Sequence, residues 1–482
     1  MPKSFIARFL PAGWLIILAA FGGASRFDEW QQLVVTLLSA AVLFISFWNL
    51  DTSDFRAKRN VWIFLAAVGL AIAMQLVPLP PTIWQNLPGR EPFLRSAVLA
   101  GLEGGWRPIS LTPDLTWAGL FSLMPVAATL AVAPTSNSPA FRPLVWTLFG
   151  IMLASAFLGI AQSVGSGNLF LFEHTNVGSA VGVFANRNHH AIFLTLSFPL
   201  VAYLITAGRP HFLSPRTAAA LGACMIALFA VAVIQAGSRS GLVLGAVMLS
   251  ATIAAVALKR FPVLELLRRR KTRAPAANNS SQLTILVAMG ACVLGIALVL
   301  VVARSSAFER LVQFDVTYDF RARVLPLLIQ MMEEFSPWGS GYGSFATVYR
   351  HFEPFDTLRY TYFNQAHNDV AQVLIEGGIV GALLMITAFL GLVLHTIRIL
   401  RTQQENMHFI GIVGCMMIVC LFLASFADYP LRTPLLASIL IFAATFLREP
   451  SLSLSGRNGE TRLPTEGGWL KSAHPPKREE IV

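Results

Sequence analysis

Three adjoining stretches decide how this chain folds: AAALGACMIALFAVAVIQA at 218–236, GSRS at 237–240, and GLVLGAVMLSATIAAVAL at 241–258. Each apolar run is close to the ~20 residues a helix needs to cross a hydrocarbon core. Neither carries a charge, and the pair is joined by a turn too short to hold anything but a reversal. Surface helices of a soluble protein carry one apolar and one polar face; these runs are apolar almost all round and of membrane length, so lipid is their natural surrounding.

The same pattern recurs outward in both directions. Apolar runs of membrane length occupy 9–25, 32–50, 61–78, 115–133, 144–164, 189–207, 218–236, 241–258, 283–303, 373–397, 409–426 and 434–447. The expected fold is therefore an all-α polytopic membrane protein of about twelve spans, with both termini on one side. Composition agrees: 55% of residues are hydrophobic and 13% charged, about half the charge of an ordinary soluble domain. No small-residue cleavage site follows the first run, so that run reads as a membrane helix and not as a cleaved signal.

Basic residues give the orientation. With the N-terminus inside, the run Lys259–Arg273 and all the lysines (Lys3, Lys58, Lys259, Lys271, Lys471 and Lys477) fall on the cytoplasmic side. The outer segments then carry arginine as their only fixed cation, and planar guanidinium groups suit bidentate phosphate binding. The formal net charge of +11 follows from this bias and from anionic headgroups; no nucleic-acid partner is expected. All four cysteines lie in apolar runs, so neither a disulfide framework nor a thiolate metal site is expected.

Three long outer segments should hold the function: 79–114, 165–188 and 304–372. The chain accordingly divides into spans one to nine over 1–303, a periplasmic loop or cap over 304–372, spans ten to twelve over 373–450, and a tail over 451–482. The cap is rich in Phe and Tyr, and 320–335 reads as an amphipathic helix ended by Ser336-Pro337. The tail, rich in Ser, Gly, Pro and charge, reads as a disordered cytoplasmic extension that could meet other envelope-assembly proteins. The polar stretch 274–282 reads the same way.

Candidate chemistry clusters at the outer ends of the spans. Arg239, flanked by Ser238 and Ser240 between two glycines, is a candidate phosphate clamp, and a snorkelling arginine is the bland alternative. Arg321 and Arg323 open the amphipathic helix but cannot share one face at a spacing of two. Gly339, Gly341 and Gly343 stand at alternate positions, as in a backbone turn that exposes N–H groups; a plain turn explains them equally well. No nucleotide-binding fingerprint is present, and no cofactor is expected.

His367, in Gln365-Ala366-His367-Asn368-Asp369, is a candidate general base, because imidazole can accept a proton near neutral pH. Asn186, Asn188 and His189 stand at the mouth of the sixth span, where polar side chains imply a polar cavity. With Ser238, Ser240, Gly341, Gly343 and Asn368 they are the candidate lining of a site. No HExxH or acidic pair suggests a metal.

In order and hydropathy these stretches resemble the O-antigen ligase and polysaccharide polymerase superfamily of bacterial envelopes, over about Trp106 to Asp428. The resemblance rests on Asn186–His189, Ser238–Gly241, Arg321 through Leu325, Gly339–Phe345, and His367-Asn368 followed by Glu376-Gly377-Gly378. It implies a metal-independent glycosyltransferase of the inner membrane whose site faces the periplasm and whose donor is a polyprenyl-diphosphate-linked glycan. It implies that Arg239 and Arg321 hold the diphosphate and that His367 activates the acceptor hydroxyl. Leu325 stands where relatives often carry tryptophan, and Arg323 competes with Arg321. The acceptor stays open: lipid A–core for a ligase, a lipid-linked repeat for a polymerase, a Ser, Thr or Tyr hydroxyl for a relative working on protein. A transporter of the same lipid-linked saccharide is the competing class, but it would place charges deep in the spans and show internal repeats.

Overall fold

The computed structural model describes residues 3–26, 29–48, 52–135, 138–164, 169–173, 179–260, 320–355, 358, 363–401 and 405–447. The expected span at 283–303, the beginning of the cap at 304–319, most of the basic run ending at Arg273, the polar stretch 274–282 and the tail 451–482 lie outside these residues.

Helices dominate. In chain order they are α1 (Lys3–Phe21), α2 (Trp30–Trp48), α3 (Thr52–Met74), α4 (Pro81–Trp84), α5 (Glu91–Leu99), α6 (Pro113–Phe121), α7 (Leu123–Val132) and α8 (Phe141–Val164). After these come α9 (Arg187–Thr195), α10 (Ser197–Ile205), α11 (Pro215–Gln235), α12 (Arg239–Arg260), α13 (Phe320–Phe335), α14 (Phe345–Phe352), α15 (Asp369–Arg401), α16 (Glu405–Ala424) and α17 (Pro434–Phe446). Among the described residues, 8 helices are long and apolar enough to cross a membrane, and shorter apolar helices cover Ala7–Phe21, Phe409–Ala424 and Pro434–Phe446. In position these helices overlap the expected runs other than 283–303, 8 of them at membrane-crossing length.

The centre of the bundle is the α9–α10 pair, 83% of whose apolar window is buried. Phe193, Phe198 and Leu200 there pack with Phe229 of α11, Leu421 of α16 and Phe442 of α17. Lipid-facing helices instead leave one stripe bare, as with Leu33, Leu37 and Phe44 of α2, each over 60% exposed. Some polar atoms that enter the bundle are paired. Trp14 Nε1 donates to Thr129 Oγ1 at 2.8 Å, and that hydroxyl lies 2.8 Å from Ser438 Oγ.

A second core lies beside the first turns of α15. On α13 the stripe Val324, Leu328, Met331 and Phe335 is buried, at the i, i+4, i+7 spacing of one helix face. Arg323, Leu325 and Ile329 on the other side are exposed. The stripe packs with Phe345, Val348 and Tyr349 of α14 and with Ala371 and Ile375 of α15. Phe93 and Leu111 from the 79–114 segment pack against this core, so residues outside 304–372 also contribute to it. A small antiparallel ribbon, β1 (Pro78–Leu79) with β2 (Arg107–Pro108), closes the neck of the 79–114 segment.

Arg90 ties these segments together. It is 1% exposed and donates to the carbonyls of Pro88 at 3.1 Å, Ile109 at 2.6 Å and Gly339 at 3.0 Å. Burial pulls its guanidinium down to about 10, which leaves it charged at neutral pH.

Candidate active site

His367 sits in the short run that leads into α15. Asn368 caps that helix, its Oδ1 accepting from Ala371 N at 3.0 Å, and the backbone of His367 bends back at φ 49°. For a side chain other than glycine this left-handed conformation costs about 1–2 kcal/mol, a strain characteristic of functional positions. The bend places the imidazole beside Phe363, at 5.4 Å between ring centroids, and Tyr429, at 4.8 Å.

The partner that defines the ring's role is Asp428, which follows α16. His367 Nδ1 lies 3.2 Å from Asp428 Oδ1; the carboxylate is wholly buried, while 23% of the histidine side chain is exposed. A carboxylate on Nδ1 fixes that nitrogen as the N–H donor, which directs proton acceptance to Nε2. It also stabilises the imidazolium that would form.

Other groups hold the carboxylate still. Asn188 Nδ2 donates to Oδ2, and Tyr429 N donates to Oδ1 at 3.0 Å. His189 Nε2 stands 3.8 Å from the same Oδ1 and is 1% exposed; its ring meets Tyr429 edge-on at 5.0 Å. Asn186 serves the fold: its side chain accepts from Asn188 N at 2.8 Å and begins α9. Of the polar residues expected at this mouth, Asn188 and His189 thus reach the site and Asn186 sets the helix that carries them.

Behind this centre lies a buried ion network. Arg432 Nε reaches Asp369 Oδ1 at 3.2 Å and Arg432 Nη2 reaches Glu376 Oε2 at 3.4 Å. Burial lowers the Arg432 pKa, but Glu376 and Asp369 offset that and hold it above its ordinary value. Gln372 adds bonds to Gln365 and Glu376 at 2.7 and 3.0 Å. One arginine thereby ties the connection that bears Asp428 to the helix that follows His367.

The glycines at 339, 341 and 343 are explained by packing against this helix. Gly339, Ser340, Gly341 and Tyr342 donate their N–H groups to Phe335 O, Ile375 O, Glu376 O and Gln75 Oε1. Their φ angles are 81°, 105° and 88° at the three glycines, and a Cβ on Gly341 would stand 2.5 Å from Ser110 Cα. On the opposing side, α15 breaks at Gly378, where φ is 55°, and a Cβ there would stand 2.1 Å from Pro337 O. The two glycine motifs are therefore two halves of one close contact, and these four N–H groups serve the fold.

Arg239 begins α12 and is half-buried. Ser238 is 1% exposed; its Oγ accepts from Gly241 N at 3.1 Å and lies 3.2 Å from Ser240 Oγ, so both serines shape the turn that presents the arginine. Arg321 and Arg323 begin α13, and Arg323 is exposed. Among the described residues no group of three or more His, Cys, Asp or Glu is arranged to hold a metal ion.

Asp428, Arg432 and Arg90 escape sequence reasoning. Asp428 and Arg432 stand in the short connection between α16 and α17 and Arg90 in the long segment 79–114; each has a partner far along the chain and no local repeat to mark it.

The bundle and the polar centre at its end define the class: a polytopic all-α membrane protein with a His–Asp pair at one end of its helices. Residues 224–386 match the family model for O-Antigen ligase, which supports the resemblance to the O-antigen ligase and polymerase superfamily. Members are glycosyltransferase-like ligases and polymerases, which supports an enzymatic role on lipid-linked glycans. Arg239, Arg321, Arg323 and His367 fall inside the matched stretch; Asn188, His189 and Asp428 fall outside it. No curated protein and no solved structure shows significant similarity to the chain.

Proposed function

We propose that this protein is an inner-membrane glycosyltransferase of the O-antigen ligase type. It moves a polyprenyl-diphosphate-linked glycan onto an acceptor hydroxyl at the periplasmic face, on lipid A–core or another acceptor. The observation that carries this reading is the His367–Asp428 pair, partly open on the histidine and buried on the carboxylate, in a chain matching a family that acts on lipid-linked glycans.

The reaction balances as one displacement. The acceptor oxygen bonds to the anomeric carbon of the donor sugar while the bond from that carbon to the diphosphate oxygen breaks. The electron pair leaves on the polyprenyl diphosphate, and the acceptor proton passes to His367 Nε2. Asp428 stabilises the imidazolium. Arg239 and Arg321 stabilise the charge that grows on the leaving group, as fixed cations in a poorly hydrated site do best. Arg321 takes this role by the resemblance of the stretch Arg321 through Leu325 to the family's motif, and Arg323 is exposed. Displacement in one step inverts the anomeric centre, and the guanidinium groups supply the positive charge, so no metal is called for.

Polymerase activity on a lipid-linked repeat uses the same donor clamp and base, and the family model includes both activities. Deleting the gene and resolving envelope glycans on a gel tests the proposal. Loss of long glycan, donor accumulating at the periplasmic face, and rescue by wild type but not by His367→Ala or Arg239→Ala are expected. Full-length glycan held on its carrier marks a ligase and single repeats mark a polymerase. Donor trapped on the cytoplasmic side, or full rescue by both variants, overturns the assignment in favour of a transporter.

A further inference from the structure

Polar side chains occupy one face of α8, a helix that elsewhere is built to meet lipid. Met152, Ser155, Gly159 and Gln162 are buried on that face, at the i, i+3, i+7 and i+10 steps of a single stripe. Ala154, Phe157 and Ala161 on the other side are exposed. Ser155 is 0% and Gln162 3% exposed, and both reach the segment that enters α9.

Gln162 makes four bonds to backbone. Its Oε1 accepts from Val181 N at 3.0 Å and from Gly182 N at 2.8 Å. Its Nε2 donates to Leu169 O at 2.9 Å and to Gly182 O at 3.1 Å. Ser155 Oγ accepts from Val183 N at 3.2 Å and lies 3.1 Å from His190 Nδ1. Glycines make the approach possible. A Cβ on Gly159 would stand 2.6 Å from His190 Nε2, and one on Gly182, where φ is 55°, would stand 2.3 Å from Ser155 Oγ. Irregular backbone beside a membrane span persists only where protein groups satisfy it, and here two side chains of α8 do so.

The held turn leads directly to the His367 centre. Three residues after Val183 comes Asn186, the cap of α9, and two residues later Asn188 donates to Asp428 Oδ2. His190, bonded to Ser155, stands two residues beyond Asn188. The bonds from α8 therefore grip the chain on both sides of Asn188.

We infer that Gln162 and Ser155 are positioning residues for glycan transfer. They fix the start of α9 so that Asn188 holds the Asp428 carboxylate against His367 Nδ1. The inference rests on the glycosyltransferase reading. Without Gln162 the N–H groups of Val181 and Gly182 lose their acceptor, and a buried donor left unsatisfied is costly enough to move the turn toward other partners. Asn188 moves with it, and a displacement of about 1 Å at a catalytic centre can cost about 100-fold in rate.

The test uses full-length protein in nanodiscs, with thermal melting as the check on folding. The probe is the lipid-linked glycan that accumulates in the gene-deletion strain, extracted and supplied as donor. Gln162→Met, close in volume but unable to accept or donate, should lower kcat by about 10–100-fold with KM little changed. Gln162→Glu, which keeps the accepting oxygen, should recover part of the loss. In an Asn188→Ala background, Gln162→Met should cost less than about twofold, because both substitutions act along one path. Ser155→Ala, a smaller change, should show the same kcat loss in weaker form and the same dependence on Asn188; it decides the matter if Gln162→Met does not fold. Folded variants with wild-type kcat, a loss confined to KM, or losses that multiply in full with Asn188→Ala overturn the inference and leave the proposed function standing. A wild type that does not turn over the donor removes that function and the inference with it.

Discussion

His367 Nδ1 and Asp428 Oδ1 stand 3.2 Å apart across 61 residues of chain. The pair joins the segment before α15 to the connection after α16, so the base is assembled only when those helices are packed. Its carboxylate is fully buried and anchored by Asn188 and by the backbone of Tyr429, which leaves it no freedom to swing away from the ring. Replacing Asp428 by Asn keeps the shape but removes the charge that stabilises the imidazolium. Glycan transfer by Asp428→Asn is expected to fall by about 10²–10⁴-fold, the usual worth of a general base, with melting temperature little changed. Donor turnover by purified protein measures the first and detergent-phase melting the second. Near-wild-type turnover would show that the carboxylate only packs.

The interlocked glycines carry a different expectation. Gly341 has φ 105°, and a side chain there would meet Ser110 at 2.5 Å. Gly341→Ala should therefore cost at least about 2 kcal/mol through backbone strain and overpacking, seen as a lower melting temperature and less extractable protein. Affinity of the surviving folded fraction for the diphosphate donor should stay near wild type, because the N–H groups of this turn are already bonded within the protein. A selective loss of donor affinity would instead return the turn to the phosphate site.

Hydropathy carried most of the fold, because lipid-facing helices must be apolar over their whole length and the eye can count that. The amphipathic helix over 320–335 was legible from the periodicity of its apolar residues. His367 stood out through its polar neighbours at the end of an apolar run. Asp428 did not, since its meaning comes from a partner 61 residues earlier and its own neighbours, Ala427 and Tyr429, are unremarkable. The alternate glycines were visible as a turn, but what they turn against, the break at Gly378 on another helix, has no trace in the local spacing. Periodicity reports which face of an element is buried; it is silent on which distant element buries it.

Tyr342 gives the fold an alkaline limit. Burial, with the nearby charge of Glu376, raises its hydroxyl from 10.0 to about 12, against an opposing pull from Arg432. The folded protein then keeps this proton more tightly than the unfolded chain. The stability this represents, about 2–3 kcal/mol, is intact below pH 10 and is lost as pH rises from about 10 to about 12. Chemical denaturation at a series of alkaline pH values should show that decline, and Tyr342→Phe should flatten it. An unchanged slope in the variant would assign the decline to other groups.

Arg432 is the sole cation that the described contacts place on both Asp369 and Glu376. Replacing it by Met leaves the carboxylates of Asp369 and Glu376 without this counter-charge, and breaking a buried pair in this way costs about 3–5 kcal/mol. Arg432→Met should thus melt far below wild type, and His367–Asp428 should suffer indirectly, because Arg432 lies on the same connection as Asp428. Removing the acids together with the cation separates the two effects. The triple variant Arg432→Met, Asp369→Asn, Glu376→Gln should regain much of the melting temperature, since the uncompensated charge is gone, while turnover stays low if the network also positions Asp428. Recovery of turnover along with stability would show that the network only holds the helices together. Failure to regain stability would mean that the cost of Arg432→Met comes from lost packing of its side chain rather than from charge.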